Sequence, residues 1–326
     1  MNRKITAAAL LLVISLVTLT ATQTERKKVV CWGDSLTAPH PGCYPDALAT
    51  ALGSAYEVIN CGVGGENTVT IMSRQGAYPM VLAHDVNIYR DSERRFPVFV
   101  GNCDVTAFES SYNGSKVTPL IQGGWEEGKS AAWVNPVIID GREFDIRSEA
   151  HFWGENGFKF EYNHYLQPRA AVDSSFVLKK GAVIETKAMR ELRGAYANVF
   201  FVGQNAGFST VEDYISQIKA MIAYSGCERY VVVSFHKPNW VVPLEKMPQM
   251  EAALKAEFGR HYIALRDYLV RDGLKDAGLR PSEKDAEAVA NGEVPPQLMT
   301  DGCHFTDAGY ALIAAQVAQR FKKLGY

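Results

Sequence analysis

The sequence lacks a large net charge, an internal repeat and a low-complexity tract. Its 326 residues include 34 lysines and arginines against 36 aspartates and glutamates, so the formal net charge at pH 7 is −2. Basic and acidic residues are interspersed, which argues against a nucleic-acid-binding surface or a polybasic membrane anchor. Length and ordinary composition together indicate a globular protein with a large core, built as one big domain or two modest ones.

Long apolar runs are absent beyond the first residues of the chain. Arg3 and Lys4 precede the apolar residues 5–19, and small and polar residues follow. A basic start, an apolar centre and small residues after it are typical of a cleavable signal peptide, which we place at residues 1–22. The apolar run is shorter than the ~20 residues of a spanning helix, and an uncleaved anchor is the alternative. The sequence therefore predicts a secreted or periplasmic protein without stable membrane insertion.

Cys-x-x-Cys pairs are also absent, so a zinc ribbon or a thioredoxin-type site has no support. Six cysteines are present, and export would permit disulfides between them. Cys31 and Cys61 each end a predicted strand, and they are either neighbours on adjacent strands or, in the interpretation we favour, small buried apolar residues. No histidine–carboxylate group has the spacing of metal ligands, so we expect no metal and no cofactor.

Apolar strands alternate with amphipathic helices in two parts of the chain. Continuous apolar strands that alternate with helices indicate a parallel sheet covered on both faces. Residues 27–76 and 196–326 are therefore interpreted as one α/β domain. The pattern predicts strands at residues 28–32, 56–61, 197–202 and 229–235, and helices at residues 44–52, 68–74, 210–223, 250–258 and 308–324.

The intervening residues 77–195 have a different pattern. Helical periodicity fades, and short alternating or aromatic runs lie between turn signals such as Asn113-Gly114 and Asp140-Gly141. Short strands with such punctuation predict a β-rich unit inserted into the α/β domain. Its aromatic side chains are interpreted mainly as core, with a platform for sugar rings as the alternative. They are Trp125, Trp133, Phe152, Trp153, Phe158, Phe160, Tyr162 and Tyr165.

The most informative stretch is Gly33-Asp34-Ser35-Leu36, which ends an apolar strand. A small-residue turn there lifts a serine out of the sheet at its carboxyl edge, where open α/β sheets place reactive groups. A serine hydroxyl needs a base within hydrogen-bond reach. Asp301-x-x-His304 supplies an imidazole and, three residues earlier, a carboxylate. The order Ser, Asp, His is that of α/β-hydrolases, but Thr37 replaces the second glycine of their Gly-x-Ser-x-Gly signature.

With Val63-Gly64-Gly65-Glu66 and Gly203-Gln204-Asn205, these motifs make four blocks in order along the chain. The set resembles the GDSL or SGNH family of serine hydrolases, over residues 27–76 and 196–326. The resemblance implies a flavodoxin-like three-layer domain with a five-stranded parallel sheet, which the β-rich unit interrupts.

The resemblance also implies a role for each site residue. Ser35 is the nucleophile, His304 is the base, and Asp301 orients the imidazole and stabilises its protonated form. The oxyanion hole consists of the backbone N–H groups of Ser35 and Gly65 and the side-chain amide of Asn205. Glycine at position 65 lets the backbone approach the substrate closely.

One position departs from the family pattern. The block that contains Asn205 usually continues with aspartate, and this chain has Ala206 there. The departure puts in doubt the hydrogen bonds that orient the loop. It also puts the substrate class in doubt. Separately, Asn205 could cap the helix predicted near Thr210, but it lies early for a cap and the interpretation as a donor is favoured.

Other candidate residues have weaker patterns. Gly62-Val63-Gly64-Gly65 suggests a dinucleotide loop, but the Gly-x-Gly-x-x-Gly pattern requires glycine where Asn67 stands. His40 and His236 follow predicted strands and are interpreted as loop residues. Glu66 either faces the cleft or caps a helix.

The sequence therefore predicts an exported serine esterase that acts through an acyl-enzyme on Ser35. Short acyl esters of carbohydrates, above all acetyl esters, are the expected substrates, because the chain is exported and carries an aromatic insertion, and because the family often acts on them. A small-molecule or glycan ester is the expected partner, and no nucleic acid is. The alternatives are a lipase or thioesterase of the same type, and a non-catalytic carbohydrate-binding protein that uses the β insertion.

Overall fold

The computed structural model describes residues 25–90, 110–117, 133–153 and 159–326. The predicted signal peptide, Cys103, Trp125 and Phe158 lie outside these ranges. The strands are β1 (Lys27–Gly33), β2 (Tyr56–Gly62), β3 (Val86–Ile88), β4 (Ser110–Tyr112), β5 (Ser115–Val117), β6 (Val137–Ile139), β7 (Arg142–Trp153), β8 (Lys159–Pro168), β9 (Phe176–Leu178), β10 (Ala197–Phe201), β11 (Tyr230–Val233) and β12 (Tyr262–Ile263). The helices are α1 (Tyr44–Leu52), α2 (Thr68–Gln75), α3 (Lys187–Glu191), α4 (Val211–Ser225), α5 (Met247–Phe258), α6 (Leu265–Tyr268), α7 (Leu274–Asp276), α8 (Glu283–Ala290) and α9 (Asp307–Leu324).

The central sheet contains five parallel strands in the order β12-β11-β10-β1-β2. The chain builds outward from β1 to β2 on one side, and then returns to place β10, β11 and β12 on the other side. The strand order therefore reverses between β1 and β10. Open α/β sheets bind their ligands at the carboxyl edge beside such a reversal.

Apolar residues cover both faces of this sheet, as the sequence predicts. On β1, Val30 and Trp32 pack in one buried cluster, which includes residues of α2, α4 and α5. Val29 and Cys31 pack in a second cluster, with residues of α1 and α9. Because successive side chains of a strand point to opposite faces, this alternation gives a three-layer α/β arrangement.

The same alternation determines on which face of the sheet each of the two strand cysteines lies. Cys31 pairs in register with Asn60, and Cys61 pairs with Trp32, so their side chains lie in different clusters. Both are buried free thiols. The interpretation of Cys31 and Cys61 as small buried apolar residues is confirmed.

The inserted segment forms three small antiparallel sheets, β3-β9, β4-β5 and β6-β7-β8. Its described core is mostly aliphatic and includes Val63, which follows β2, and Val69, which lies in α2. Trp133 is half-buried and packs against the core of the central sheet, with the Lys187 ammonium 4.9 Å from its ring centre. The insertion therefore packs directly against the elements that carry the Gly64-Gly65 loop.

Some elements differ from the predicted ones. The fifth strand, β12, is only two residues long, which is too short for a recognisable strand pattern. The short helix α3 lies inside the segment predicted to be β-rich, and Ala188 and Leu192 pack into the core of the central sheet. Helix α5 begins at Met247, three residues before the predicted start.

Across the described ranges, no helix combines the length and the apolar character needed to cross a bilayer.

Candidate active site

A tight turn at the end of β1 presents Ser35. The Asp34 side chain accepts a hydrogen bond from the Leu36 N–H (2.9 Å), and its backbone carbonyl accepts from the N–H groups of Thr37 and Ala38. Glycine is required at position 33, because a Cβ there would lie 2.6 Å from the carbonyl oxygen of Phe201. The turn leaves Ser35 half-buried between buried neighbours.

Ser35, His304 and Asp301 form a continuous hydrogen-bonded chain. His304 Nε2 lies 3.0 Å from Ser35 Oγ, and His304 Nδ1 lies 2.8 Å from Asp301 Oδ2. Residues 269 positions apart in sequence are thus brought into contact at the carboxyl edge of the sheet. The predicted spacing of Asp301 and His304 suits this contact, since the loop just before α9 carries both side chains.

The Asp301 carboxylate is held in its ionised form. Its Oδ1 accepts hydrogen bonds from the backbone N–H groups of His304 (2.7 Å) and Cys303 (2.6 Å). The His304 N–H, the His304 ring and the Cys303 N–H together lower the pKa of Asp301 well below its ordinary value. The side chains of Asp301 and His304 remain 57% and 40% exposed, so water and a large ligand can reach them.

The Gly64-Gly65 loop lies beside Ser35. A Cβ placed on Gly64 would lie 4.0 Å from the Ser35 Cβ, and the Val63 N–H donates to the Gly33 carbonyl (3.1 Å). Gly65 has φ = 80°, in the left-handed region that favours glycine. The Asn205 side-chain amide donates to the carbonyl of the next residue, Glu66, at 3.0 Å. The structure thus brings the loops of Ser35, Gly65 and Asn205 together.

Backbone contacts hold the Asn205 loop where the family pattern has aspartate. Ala206 adopts φ = 52°, and its carbonyl oxygen accepts hydrogen bonds from the N–H (3.0 Å) and the hydroxyl (3.1 Å) of Thr68. The start of α2 therefore fixes this loop without a carboxylate at position 206. The cap of α4 is Thr210, which accepts from the Asp213 N–H, so Asn205 is not a helix cap.

Glu66 is a correction to the sequence analysis, because it neither faces the cleft nor caps a helix. It is buried and pairs with the equally buried Arg74 of α2, whose Nη2 lies 2.5 Å from Glu66 Oε2. Arg74 also donates to the Cys61 carbonyl at the end of β2 (2.8 Å). The ion pair ties the Gly65 loop to both the helix and the strand on either side of it. The cap of α2 is Asn67, the residue that excludes the dinucleotide pattern.

Two other histidines, His236 and His40, follow sheet strands but make other contacts than the one that His304 makes with Ser35. The His236 ring is buried and packs against Phe305, with 4.3 Å between ring centres. Burial lowers the pKa of His236 to about 3, so this imidazole is neutral at physiological pH. The His40 ring packs against Tyr310. In the part of the chain that the structure describes, no cluster of three His, Cys, Asp or Glu side chains is arranged to hold a metal ion.

Apart from His236, the loop after β11 was not singled out from the sequence, yet it contacts both sides of the site. The Gln204 amide donates to the Lys237 carbonyl (3.0 Å), and the Asn239 amide donates to the Gly203 carbonyl (3.1 Å). The Lys237 ammonium donates to the carbonyl of Gly302. Its position could have indicated a role in the site, because polar residues follow an apolar strand there, at the carboxyl edge of the sheet.

A cavity of about 380 Å³ is lined by Asp301, by Gly302 and by residues of the loop after β11. Charged side chains and apolar side chains line it together. The charged ones are Lys237, Arg266, Glu293 and Asp301, and the apolar ones include Leu244 and Met299. The lining is therefore mixed: its apolar side chains can contact the carbon atoms of a ligand, and its charged side chains can bind the polar atoms.

Asp34 is a buried carboxyl group one residue before Ser35. The pKa of Asp34 is raised to about 7, mainly by burial; the hydrogen bond from the Leu36 N–H opposes this shift, and the nearby Glu66 charge adds to it. Unfolding returns the carboxyl to its ordinary value of 3.8. Between these two values the folded protein binds a proton that the unfolded chain has lost, so stability falls as the pH rises through this window.

We predict that Asp34→Asn removes this pH dependence. The amide keeps an acceptor for the Leu36 N–H and stays neutral, whereas wild-type Asp34 must ionise in its buried site. The free energy of unfolding of the wild type should fall by on the order of 4 kcal/mol relative to the variant between about pH 4 and pH 7. Urea unfolding across this range measures the difference. Asp173→Asn, at an exposed aspartate of the insertion, is the matched control; parallel curves for wild type and Asp34→Asn would contradict the prediction.

No protein-family model matches the chain, and no curated protein sequence matches it significantly.

Proposed function

We propose that this protein is a serine ester hydrolase of the SGNH type. The observation that carries the proposal is the pair of contacts that joins Ser35 Oγ to His304 Nε2 (3.0 Å) and His304 Nδ1 to Asp301 Oδ2 (2.8 Å). A hydroxyl, an imidazole and a carboxylate in this order form the arrangement that activates a serine nucleophile. The five-stranded parallel sheet with its reversal beside Ser35 supports the same family.

In the acylation step, Ser35 Oγ attacks the ester carbonyl and His304 Nε2 takes its proton. Asp301 accepts a hydrogen bond from His304 Nδ1–H, which leaves the Nε2 lone pair facing Ser35. The carboxylate then stabilises the imidazolium that forms, and it stays ionised because two backbone N–H groups also hold its charge. His304 returns the proton to the leaving alcohol, and an acyl group remains on Ser35.

The tetrahedral intermediate carries a negative charge on the former carbonyl oxygen. Donors that already point at this oxygen stabilise it without reorganisation. The backbone N–H groups of Ser35 and Gly65 and the Asn205 amide are the proposed donors. The Asn205 amide has two N–H bonds, and its contact with the Glu66 carbonyl uses one of them. That contact fixes the amide, and the Glu66–Arg74 pair fixes the loop that carries Gly65.

In the deacylation step, His304 activates a water molecule that attacks the acyl-enzyme. The partial exposure of His304 and Asp301 gives water a route to the imidazole. The acid leaves, the proton returns to Ser35, and the cycle needs no cofactor. The basic, apolar and small-residue pattern of residues 1–22 supports an exported protein, so the ester substrate is expected outside the cytoplasm.

Hydrolysis of p-nitrophenyl esters by the purified full chain tests the proposal. We expect hydrolysis of the acetyl ester, and for the short-acyl specificity that the sequence predicts we expect kcat/KM to fall at least about tenfold from acetyl to octanoyl. A higher kcat/KM for the octanoyl ester would favour the lipase or thioesterase alternative. No hydrolysis of any ester would contradict the proposal and favour the non-catalytic carbohydrate-binding protein.

A further inference from the structure

Trp240 is an exposed tryptophan at the catalytic edge of the sheet. Its side chain is 78% exposed, whereas Trp32 of β1 is buried and Trp133 is half-buried. An indole left in water forgoes the large favourable free energy of burial that the residue usually contributes. An exposed tryptophan in a fixed position therefore indicates a surface that binds a ligand or a partner.

The backbone around Trp240 is held in a defined turn. The Asn239 side-chain oxygen accepts hydrogen bonds from the N–H groups of Val241 and Val242, both at 2.9 Å. The Asn239 N–H donates to the Val242 carbonyl (3.1 Å), and Val242 is buried in the core of the central sheet. Trp240 thus sits at the tip of an anchored turn, and little backbone entropy is lost when a ligand binds to it.

The turn is attached to both halves of the candidate active site. Asn239 donates to the Gly203 carbonyl, two residues before Asn205 (3.1 Å). Earlier in the same loop, Lys237 contacts the Gly302 carbonyl between Asp301 and His304. Residues 236–238 also form one wall of the cavity of about 380 Å³ beside Asp301. A ligand on Trp240 would therefore lie along the rim of the site that holds the ester.

We propose that the 236–242 loop is a sugar-binding rim of the active site and that Trp240 is the surface on which a sugar ring of the substrate stacks. This inference rests on the proposed ester hydrolysis and narrows its substrate class to acylated glycans. The apolar C–H face of a pyranose ring packs on the indole face, while its hydroxyl groups remain in water. Trp240 is then a specificity-determining residue that acts on binding and takes no part in the chemical step.

The test compares Trp240→Ala with wild type on p-nitrophenyl acetate and on a panel of acetylated oligosaccharides of xylose, mannose and N-acetylglucosamine. We expect kcat/KM for p-nitrophenyl acetate to stay within about twofold, because that ester is too small to reach the rim. For the acetylated oligosaccharides that are hydrolysed, KM should rise about tenfold while kcat changes little. Trp240→Phe keeps an aromatic face and should recover most of the loss. Tyr89→Ala, at an exposed aromatic residue of the insertion, is the matched control and should resemble wild type.

The outcomes separate this inference from the proposed function. Failure of wild type to hydrolyse any ester would overturn both. Hydrolysis of p-nitrophenyl acetate with none of the sugar esters, or an unchanged KM for them in Trp240→Ala, would overturn the sugar-binding rim alone. A wild-type dimer that Trp240→Ala dissociates would reassign Trp240 to a contact between two copies of the chain, and so would also overturn the rim.

Discussion

Replacing Ser35 with alanine is expected to lower kcat for p-nitrophenyl acetate by about 10⁴- to 10⁶-fold. The variant keeps His304, Asp301 and the donors of the oxyanion hole, but no atom remains to form the acyl-enzyme. Only water, positioned by the remaining groups, can attack the ester, and triads that lose their nucleophile show losses of this size. Steady-state hydrolysis with a blank for spontaneous cleavage measures the change.

The fold should tolerate Ser35→Ala. The turn at the end of β1 is held by Asp34 and the backbone N–H groups of Leu36, Thr37 and Ala38, and none of these bonds uses the Ser35 hydroxyl. The melting temperature should therefore stay within about 2 °C of wild type. Ser209→Ala, an exposed serine in the loop after Asn205, is the matched control and should keep full activity. More than about a tenth of wild-type activity in Ser35→Ala would show that another group is the nucleophile.

Asp301→Asn is expected to lower kcat by about 10³- to 10⁴-fold with little change in KM. An asparagine can still accept from the backbone N–H groups of Cys303 and His304 through its oxygen. Its NH₂ group then faces His304 Nδ1 and favours the tautomer with the proton on Nε2. That tautomer cannot take the Ser35 proton, which is how the same change acts in other triads. The charge that stabilises the imidazolium is lost as well.

Asp307→Asn is the matched control for Asp301→Asn. Asp307 is an exposed carboxylate in the first turn of α9, three residues after His304, so it lies on the same segment. Its replacement removes one favourable charge at a helix start and should cost only a few tenths of a kcal/mol of stability. Equal activity losses for the two variants would indicate general damage to the loop and would contradict the specific role of Asp301.

The sequence predicts most of the α/β architecture because long buried strands have strong patterns. Two of these strands can be recognised from local sequence alone: the apolar run that ends at Trp32 and the run Ala197–Phe201. β12 has two residues, and it is a strand only because β11 lies beside it. α3 is similarly short. Its residues pack against the sheet because the inserted segment leads back to the α/β domain at this point, which local sequence does not show.

The candidate triad can be predicted because the four motif blocks resemble those of the SGNH family in the same order. Asp301 and His304 also share one loop, and this spacing favours their contact from the sequence alone. The Glu66–Arg74 pair has no such pattern. A charged residue in a loop is usually solvated, and nothing in the sequence indicates that Glu66 is buried or that Arg74 meets it. Trp240 is missed for the opposite reason, since a tryptophan after a buried strand is usually assigned to the core.

The most direct test of the activated serine is covalent labelling with an alkyl fluorophosphonate, read by mass spectrometry of the intact chain and its peptides. The reagent bonds to a serine whose proton a neighbouring base removes, and fluoride leaves. We predict one label per molecule, on the peptide that contains Ser35, and labelling slowed by about 10³-fold or more in His304→Ala. A label on a different residue, or equal labelling of Ser35 with and without His304, would contradict the account.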